Sequence, residues 1–435
     1  MPTTTKPPLK KKMAVVWSRW QRWVEPWYLA YALLGVTAGG LIPILLPLAV
    51  SRVGGAVHIG LVMAAVNLGG LTAPLWGGLA DQYRLHRGLL AGGLLVTTIA
   101  LAVFPFTTAL VAWLGLALLQ GAGTASAATV ANLFVVEAHP RTEWDERIAW
   151  LQTFYGGGKV GGLLLVAALS QAGLRIGLLT AGGLTALAAL LGSLTTQASP
   201  GPVAPKPVLL QPARHSEWAF GSPQRFFHHL TLRVLQRAGA ALRSPFGLFL
   251  AVWLIAFSGT SAFFSLYPVL MQKVFGVVPV LSSVALAIAS GLGLAFYSPA
   301  GKWSDRFGPR RVLGVALGIR LLGFSSMLVL GLTRAGSQGW AALLAFTLVM
   351  LSWSLLIVSG TALAACLSTI GEGEGMGIFN TISSLAGVIG AALGGWAAGH
   401  WGYVAALGLA VVSVAFGLVL TTTIPPVNLK DYANP

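Results

Sequence analysis

The chain has 435 residues, of which 56% are hydrophobic and only 9% charged, with a formal net charge of +16. A soluble protein of this length carries about a quarter of its residues as charges. The charges present are too few to cover a water-facing surface, so a set of soluble domains is excluded and a polytopic membrane protein is expected.

Residues 1–26 form a basic tail. The first apolar run, 27–50, is long and is followed by many more, which marks a retained span and not a cleaved signal peptide. Further spans are predicted at 57–80, 88–108, 110–136, 149–170 and 174–195. Most are long enough to cross roughly 30 Å of hydrocarbon as helix, and helices satisfy their own backbone groups there. The stretch 197–245 differs, holding Pro, His, Arg and Gln. Its part 200–212 is a Pro-rich linker, and Phe226, Leu230, Val234, Arg233, Arg237 and Arg243 fit an amphipathic interfacial helix. A second set of spans follows at 246–271, 278–301, 312–332, 339–362, 375–398 and 402–424, and 425–435 is a second tail. The expected fold is all-α: twelve transmembrane helices in two six-helix bundles, 27–196 and 246–424.

Of the 27 basic residues, Arg52, Arg175, Lys273 and Arg334 lie on one side of this map, and Lys159 and Arg320 fall inside spans. All others lie with the termini and the central stretch. The positive-inside rule then places both termini in the cytoplasm, and the basic excess faces anionic headgroups. No folded basic domain is visible, so no nucleic-acid partner is expected. The lone Cys366 permits no intramolecular disulfide.

The halves repeat one another. Gly77 and Asp81 stand after the second span as Gly301 and Asp305 stand after the eighth. Gly161 and Gly173 match Gly390 and Gly402 at a constant offset. Two parallel repeats related by an axis normal to the membrane are the expected architecture.

At these loops the chain resembles the major facilitator superfamily of secondary transporters. The run Gly301-Lys302-Trp303-Ser304-Asp305-Arg306-Phe307-Gly308-Pro309-Arg310-Arg311 is similar to the family's loop signature, with Pro309 in place of a basic residue. The first-half loop keeps only Gly77 and Asp81, and Arg87 stands in for the basic positions. The resemblance implies a gate in which Asp81, Arg87, Asp305, Arg306, Arg310 and Arg311 form and break ion pairs at the cytoplasmic side. Interfacial anchoring is the alternative role for the same charges.

Span four reads Leu118-Leu119-Gln120-Gly121-Ala122-Gly123-Thr124-Ala125 and resembles the end of an antiporter motif, with Ala117 where such members carry Arg. Span five reads Gly156-Gly157-Gly158-Lys159-Val160-Gly161-Gly162 and resembles another, with Gly158 for Pro. Helix packing explains these glycines equally well.

Lys159 is a charge in mid-span, where an ammonium facing lipid is costly, so it is expected to face a cavity or a partner. It could attract an anionic substrate group, exchange a proton during transport, or bond to helix carbonyls and Gln152 or Tyr155. Arg320 is also deep, but the resemblance puts the ninth helix at the periphery. Gln120, Asn132, Gln152, Tyr155, Trp253, Tyr267, Trp353 and Asn380 are further candidates for a mixed polar and aromatic pocket, with Asn67 and Trp150 beside them.

No nucleotide-binding loop and no paired histidines occur on a span, so neither an ATP-driven pump nor an enzyme is expected. His228 and His229 lack a cysteine or acidic cluster, and no metal or cofactor is assigned. The resemblance implies a multi-pass, monomeric protein of a cell membrane, such as a bacterial plasma or inner membrane, whose partners are lipid, a small-molecule substrate and a coupling proton. Export of an amphiphilic or drug-like molecule by alternating access is the first functional expectation. Transport of an organic anion or sugar in either direction is the alternative, and a non-transporting sensor stands behind both.

Overall fold

The computed structural model describes residues 23–83, 85–140, 143–196, 244–333, 338–368 and 372–425. The Pro-rich linker, the amphipathic helix and most of both tails lie outside the described residues. Within them all regular structure is helical.

Twelve helices follow in order. The first half holds α1 (Tyr28–Ser51), α2 (Ala56–Ala80, running on to Tyr83), α3 (His86–Phe106), α4 (Leu110–Ala138), α5 (Trp144–Ala168) and α6 (Leu174–Thr195). The second holds α7 (Pro245–Phe264), α8 (Pro279–Phe307), α9 (Pro309–Thr333), α10 (Gly339–Leu367), α11 (Glu372–Trp401) and α12 (Tyr403–Thr421). Eleven are long and apolar enough to cross a membrane. The remaining one, α5, carries Lys159 and its glycine run in mid-helix and is packed between α1 and α8. With six helices per half, the ends of α6 and α12 share a face with the start of α1. We call it the linker face and the other the opposite face.

Local chemistry sets the boundaries. The Ser244 hydroxyl accepts from the Gly247 N–H at 3.1 Å, and Pro245 follows at the first helical position, a matched start for α7. The seventh span is not the continuous helix expected over 246–271. It stops at Phe264 and restarts as Tyr267–Phe275, with Pro268 in the first turn, where a missing N–H costs nothing. Gly308, at φ 85°, breaks α8 from α9 and so shapes the signature loop, with Pro309 opening α9.

Packing repeats between the halves. The pairs α1·α5, α1·α6, α2·α4, α3·α4 and α3·α6 recur as α7·α11, α7·α12, α8·α10, α9·α10 and α9·α12. The halves then meet through α2·α11 and α5·α8, which are exchanged by the same two-fold relation. Gly173 at φ 88° and Gly402 at φ 84° open α6 and α12 with the same left-handed residue. At the linker face Glu25 accepts from Arg147 at 3.2 Å and lies 2.6 Å from His139, and Arg147 reaches Glu143 at 2.9 Å. These bonds tie α1, α4 and α5 together within one half.

Toward the opposite face, α2 and α11 approach until backbones touch. A Cβ on Gly60 would lie 2.6 Å from the Gly395 Cα. Toward the linker face, Gln152 and Thr153 of α5 and Asn380 and Thr381 of α11 are exposed. Gly60→Ala is expected to weaken closure at the opposite face by about 1–3 kcal/mol, the usual cost of overpacking. Spin labels on the opposite-face ends of α2 and α11 should then report a longer mean distance. An unchanged distance distribution would remove this contact from the closing seam.

Candidate central substrate cavity

A cavity of about 250 Å³ lies between the halves. The first half contributes Gly39, Pro43, Met63, Asn67 and Lys159, from α1, α2 and α5. The second contributes an aromatic and hydroxyl wall: Phe257, Thr260, Ser261, Phe264 and Ser265 from the end of α7, with Tyr267, Leu286, Met350 and Trp353.

The placement of Lys159 follows from glycine. A Cβ on Gly158 would run into the Ala32 carbonyl, and one on Gly162 into that of Val36, so α5 lies directly on α1. The contact falls on a π-helical turn, Gly35–Leu41, within α1, a distortion often found at functional sites. The aliphatic stem of Lys159 lies over Gly39, where an added Cβ would stand 3.1 Å from its Cβ and Cγ. Among the described residues no hydrogen bond or ion pair holds its ammonium, so the bonds to Gln152 or Tyr155 considered above are not made. No described carboxylate is near it in depth. Described acidic residues stand only at the linker-face ends of helices: Glu25, Asp81, Glu137, Glu143, Asp145, Glu146, Asp305, Glu372 and Glu374.

The other candidates divide. Tyr267 and Trp353 line the cavity with Lys159. The buried Tyr267 hydroxyl donates to the Ser282 carbonyl at 2.8 Å, and its ring stacks on Phe346. Trp253 stands one layer back, donating to the Ser383 hydroxyl at 2.8 Å and stacking on Phe257. Gln120 is buried and donates to the Thr124 hydroxyl of its own helix at 3.0 Å. Asn132 donates to the Ala128 carbonyl of its own helix. Tyr155 packs on Tyr31 at 5.3 Å, and Gln152 and Asn380 are exposed toward the linker face. The hydroxyl and phenyl face of α7 was not singled out in the sequence, although positions 257, 260, 261 and 264 share one helical face.

Arg320 is deep, as expected, but its side chain does not stay with its helix at the periphery: it is fully buried and reaches from α9 to α7 and α10. Of the gate candidates, Asp305, Arg306, Arg311 and Arg87 are exposed, and Asp305 makes no ion pair among the described residues. Arg310 donates to the carbonyls of Thr421 and Thr422 at 3.2 and 2.7 Å, capping α12 within its own half. Asp81 lies in the last turn of α2. At the opposite face a groove of about 420 Å³ between the halves holds Arg52 and Lys273.

Two copies of the same six-helix unit meet around a central cavity. The sequence matches the family model of the Major Facilitator Superfamily over residues 27–371 and 294–433, and the chain belongs to that superfamily of secondary transporters. No curated protein has a matching sequence. Among solved structures, a point mutant of the nucleoside transporter NupG aligns with TM-score 0.70 at 14% identity, over 92% of this chain and 98% of its own. A bacterial homologue of the human lysosomal transporter Spinster, inward-facing and occupied, aligns with TM-score 0.65 at 15% identity, over 97% of each chain. A D-xylose–proton symporter aligns with TM-score 0.65 at 16% identity, over 90% of this chain and 95% of its own. At these identities the likeness is one of fold.

With Cys366 replaced by Ser, Lys159→Cys is expected to react with a hydrophilic thiol reagent applied at the linker face. Leu190→Cys, on the outward side of α6, should not. Equal protection of both positions would mean that water does not reach the cavity.

Proposed function

We propose that the chain carries a small organic anion across the membrane by alternating access, and that Lys159 binds its anionic group. The observation that carries this reading is an unpaired ammonium in a cavity between the halves, within a membrane interior that holds no described carboxylate. A charge so placed costs free energy unless something pairs with it, and an anionic solute supplies the missing partner. Arg52 and Lys273, one from each half, add positive charge along the opposite-face approach. Trp353, Tyr267 and Phe257 suit a planar or ring-shaped body, and Thr260, Ser261 and Ser265 its hydroxyls.

An uncharged sugar or nucleoside is the second reading. The fold likeness to a nucleoside transporter and a xylose symporter supports a small polar solute, but this reading leaves Lys159 unpaired. Export of a drug-like amphiphile has the apolar side chains in its favour, yet a neutral or cationic amphiphile leaves Lys159 unpaired. The antiporter-like motif also lacks its Arg, at Ala117. We place the linker face in the cytoplasm, because the basic residues gather there, and assign Asp81 and Asp305 to the gate that closes that side.

The test is transport in liposomes under imposed proton, sodium and voltage gradients, with anionic and neutral solutes of matched size. Lys159→Ala should lower anion affinity about 10- to 100-fold, the worth of a hydrogen bond to a charged group at about 1.5–3 kcal/mol. Lys159→Arg should keep anion binding, and an altered pH profile in that variant would add proton exchange to the role of Lys159. Wild-type anion transport in a folded Ala variant would discard the reading.

A further inference from the structure

Arg320 is the largest fully buried side chain in the described protein. It starts on α9, a helix packed against α10 and α12, and crosses the second half toward its inner wall. Nε donates to the Ser352 hydroxyl at 3.0 Å, Nη1 to the Thr260 hydroxyl at 3.3 Å and Nη2 to the Val349 carbonyl at 3.3 Å. The guanidinium lies 5.3 Å from the centre of the Trp353 ring. Thr260 and Trp353 both line the central cavity. The cation therefore stands one side chain behind the wall that faces Lys159.

All three acceptors are neutral, and no described carboxylate lies in the membrane interior. Guanidinium offers five N–H groups, of which the bonds above use three. Burying such a charge without a counter-ion costs several kcal/mol even after relaxation. The Ser352 and Thr260 hydroxyls give their own protons to carbonyls of their own helices, at Val349 and Ala256, and so face the guanidinium as neutral acceptors that do not cancel its charge. Besides joining the three helices, the guanidinium brings a positive field, and the low-dielectric wall does little to screen it.

We infer that Arg320 is the second cation of the transport site, a specificity-determining residue that selects small organic dianions over monoanions. Lys159 meets one anionic group directly from the first half. Arg320 acts on the other through Thr260 and Trp353, from the second half. A substrate with two anionic groups at its two ends satisfies both halves, and a monoanion leaves one charge uncompensated. This rests on the anion reading of the cavity proposed above.

The test has two arms. In the first, binding of succinate and of its monoamide, succinamate, is measured on the wild type, Lys159→Ala, Arg320→Gln and Arg320→Lys. The wild type should prefer succinate on the order of tenfold, the effect of one charge across the wall of a protein cavity. Arg320→Gln should abolish the preference while succinamate still binds, and Arg320→Lys should retain most of it. An unchanged preference in Arg320→Gln, or none in a wild type that binds both probes through Lys159, overturns the role of Arg320 alone. Anion binding indifferent to Lys159→Ala overturns the underlying reading instead.

The second arm needs neither a known substrate nor a folded Arg320 variant. Thr260→Cys is made with Cys366→Ser and Lys159→Ala, so that Arg320 is the one described cation left at the cavity. Anionic and cationic methanethiosulfonates of equal size are compared by rate, against the same ratio for a free thiol. A several-fold advantage for the anionic reagent supports the inference where succinate itself does not bind the wild type. Equal rates mean that no field reaches the cavity, and overturn it.

Discussion

The backbones of α1 and α5 touch, and the placement of the transport site depends on that contact. At Gly35, Gly40, Gly158 and Gly162 a Cβ would strike the facing helix. Such close approach is how helices associate in lipid, where burial of apolar surface gives little drive and van der Waals contact gives most of it. The contact fixes the rotation of α5 about its axis. With Gly158 and Gly162 turned to α1, Lys159 falls beside Gly39 at the edge of the cavity. The π-helical turn of α1 lies in the same contact, so it and Lys159 share a location.

The second half solves a similar packing problem with different chemistry. Gly390 and Gly394 of α11 let it lie on α7 at Ser258 and Ala262, as the glycines of α5 let it lie on α1. There the deep charge is held on the far side of the cavity wall, within a shell of hydroxyl and aromatic groups. The cavity is thus asymmetric within a symmetric scaffold: a cation on an aliphatic stem on one side, and a hydrogen-bonded cation behind an aromatic and hydroxyl surface on the other. Val388 stands at the repeat position of Lys159, so the scaffold itself does not require a charge there.

The fold was legible because hydrocarbon imposes one rule along the whole chain: long apolar runs must be helices. The repeat was legible because Asp and Gly at loop positions survive as letters. Lys159 was legible too, since a charge in an apolar run is conspicuous and the cost of lipid exposure leaves one way for it to point. The walls were not. Hydroxyls and amides in membrane helices find carbonyls on their own helix, as Asn132 does at Ala128, and sequence does not tell these from groups turned to a cavity. The reach of Arg320 was not legible for a related reason. The position of its helix is peripheral, but an arginine is long enough to cross its neighbours, and only the packing of α7 and α10 shows where the guanidinium ends. The break after Phe264 was missed because Pro268 sits inside an unbroken apolar run.

Gly173 and Gly402 preserve more than a turn. Both adopt a left-handed backbone that a side chain would strain, and both stand at equivalent points before the last helix of their half. Around them the halves have diverged in charge, in loop signature and in cavity chemistry. Drift after an internal duplication would leave this pattern: side chains are free to change wherever a neighbour can adjust, whereas a backbone angle tolerates almost no replacement. The two glycines are then the better record of common descent, and the loop motifs that first suggest kinship are the part most open to rewriting.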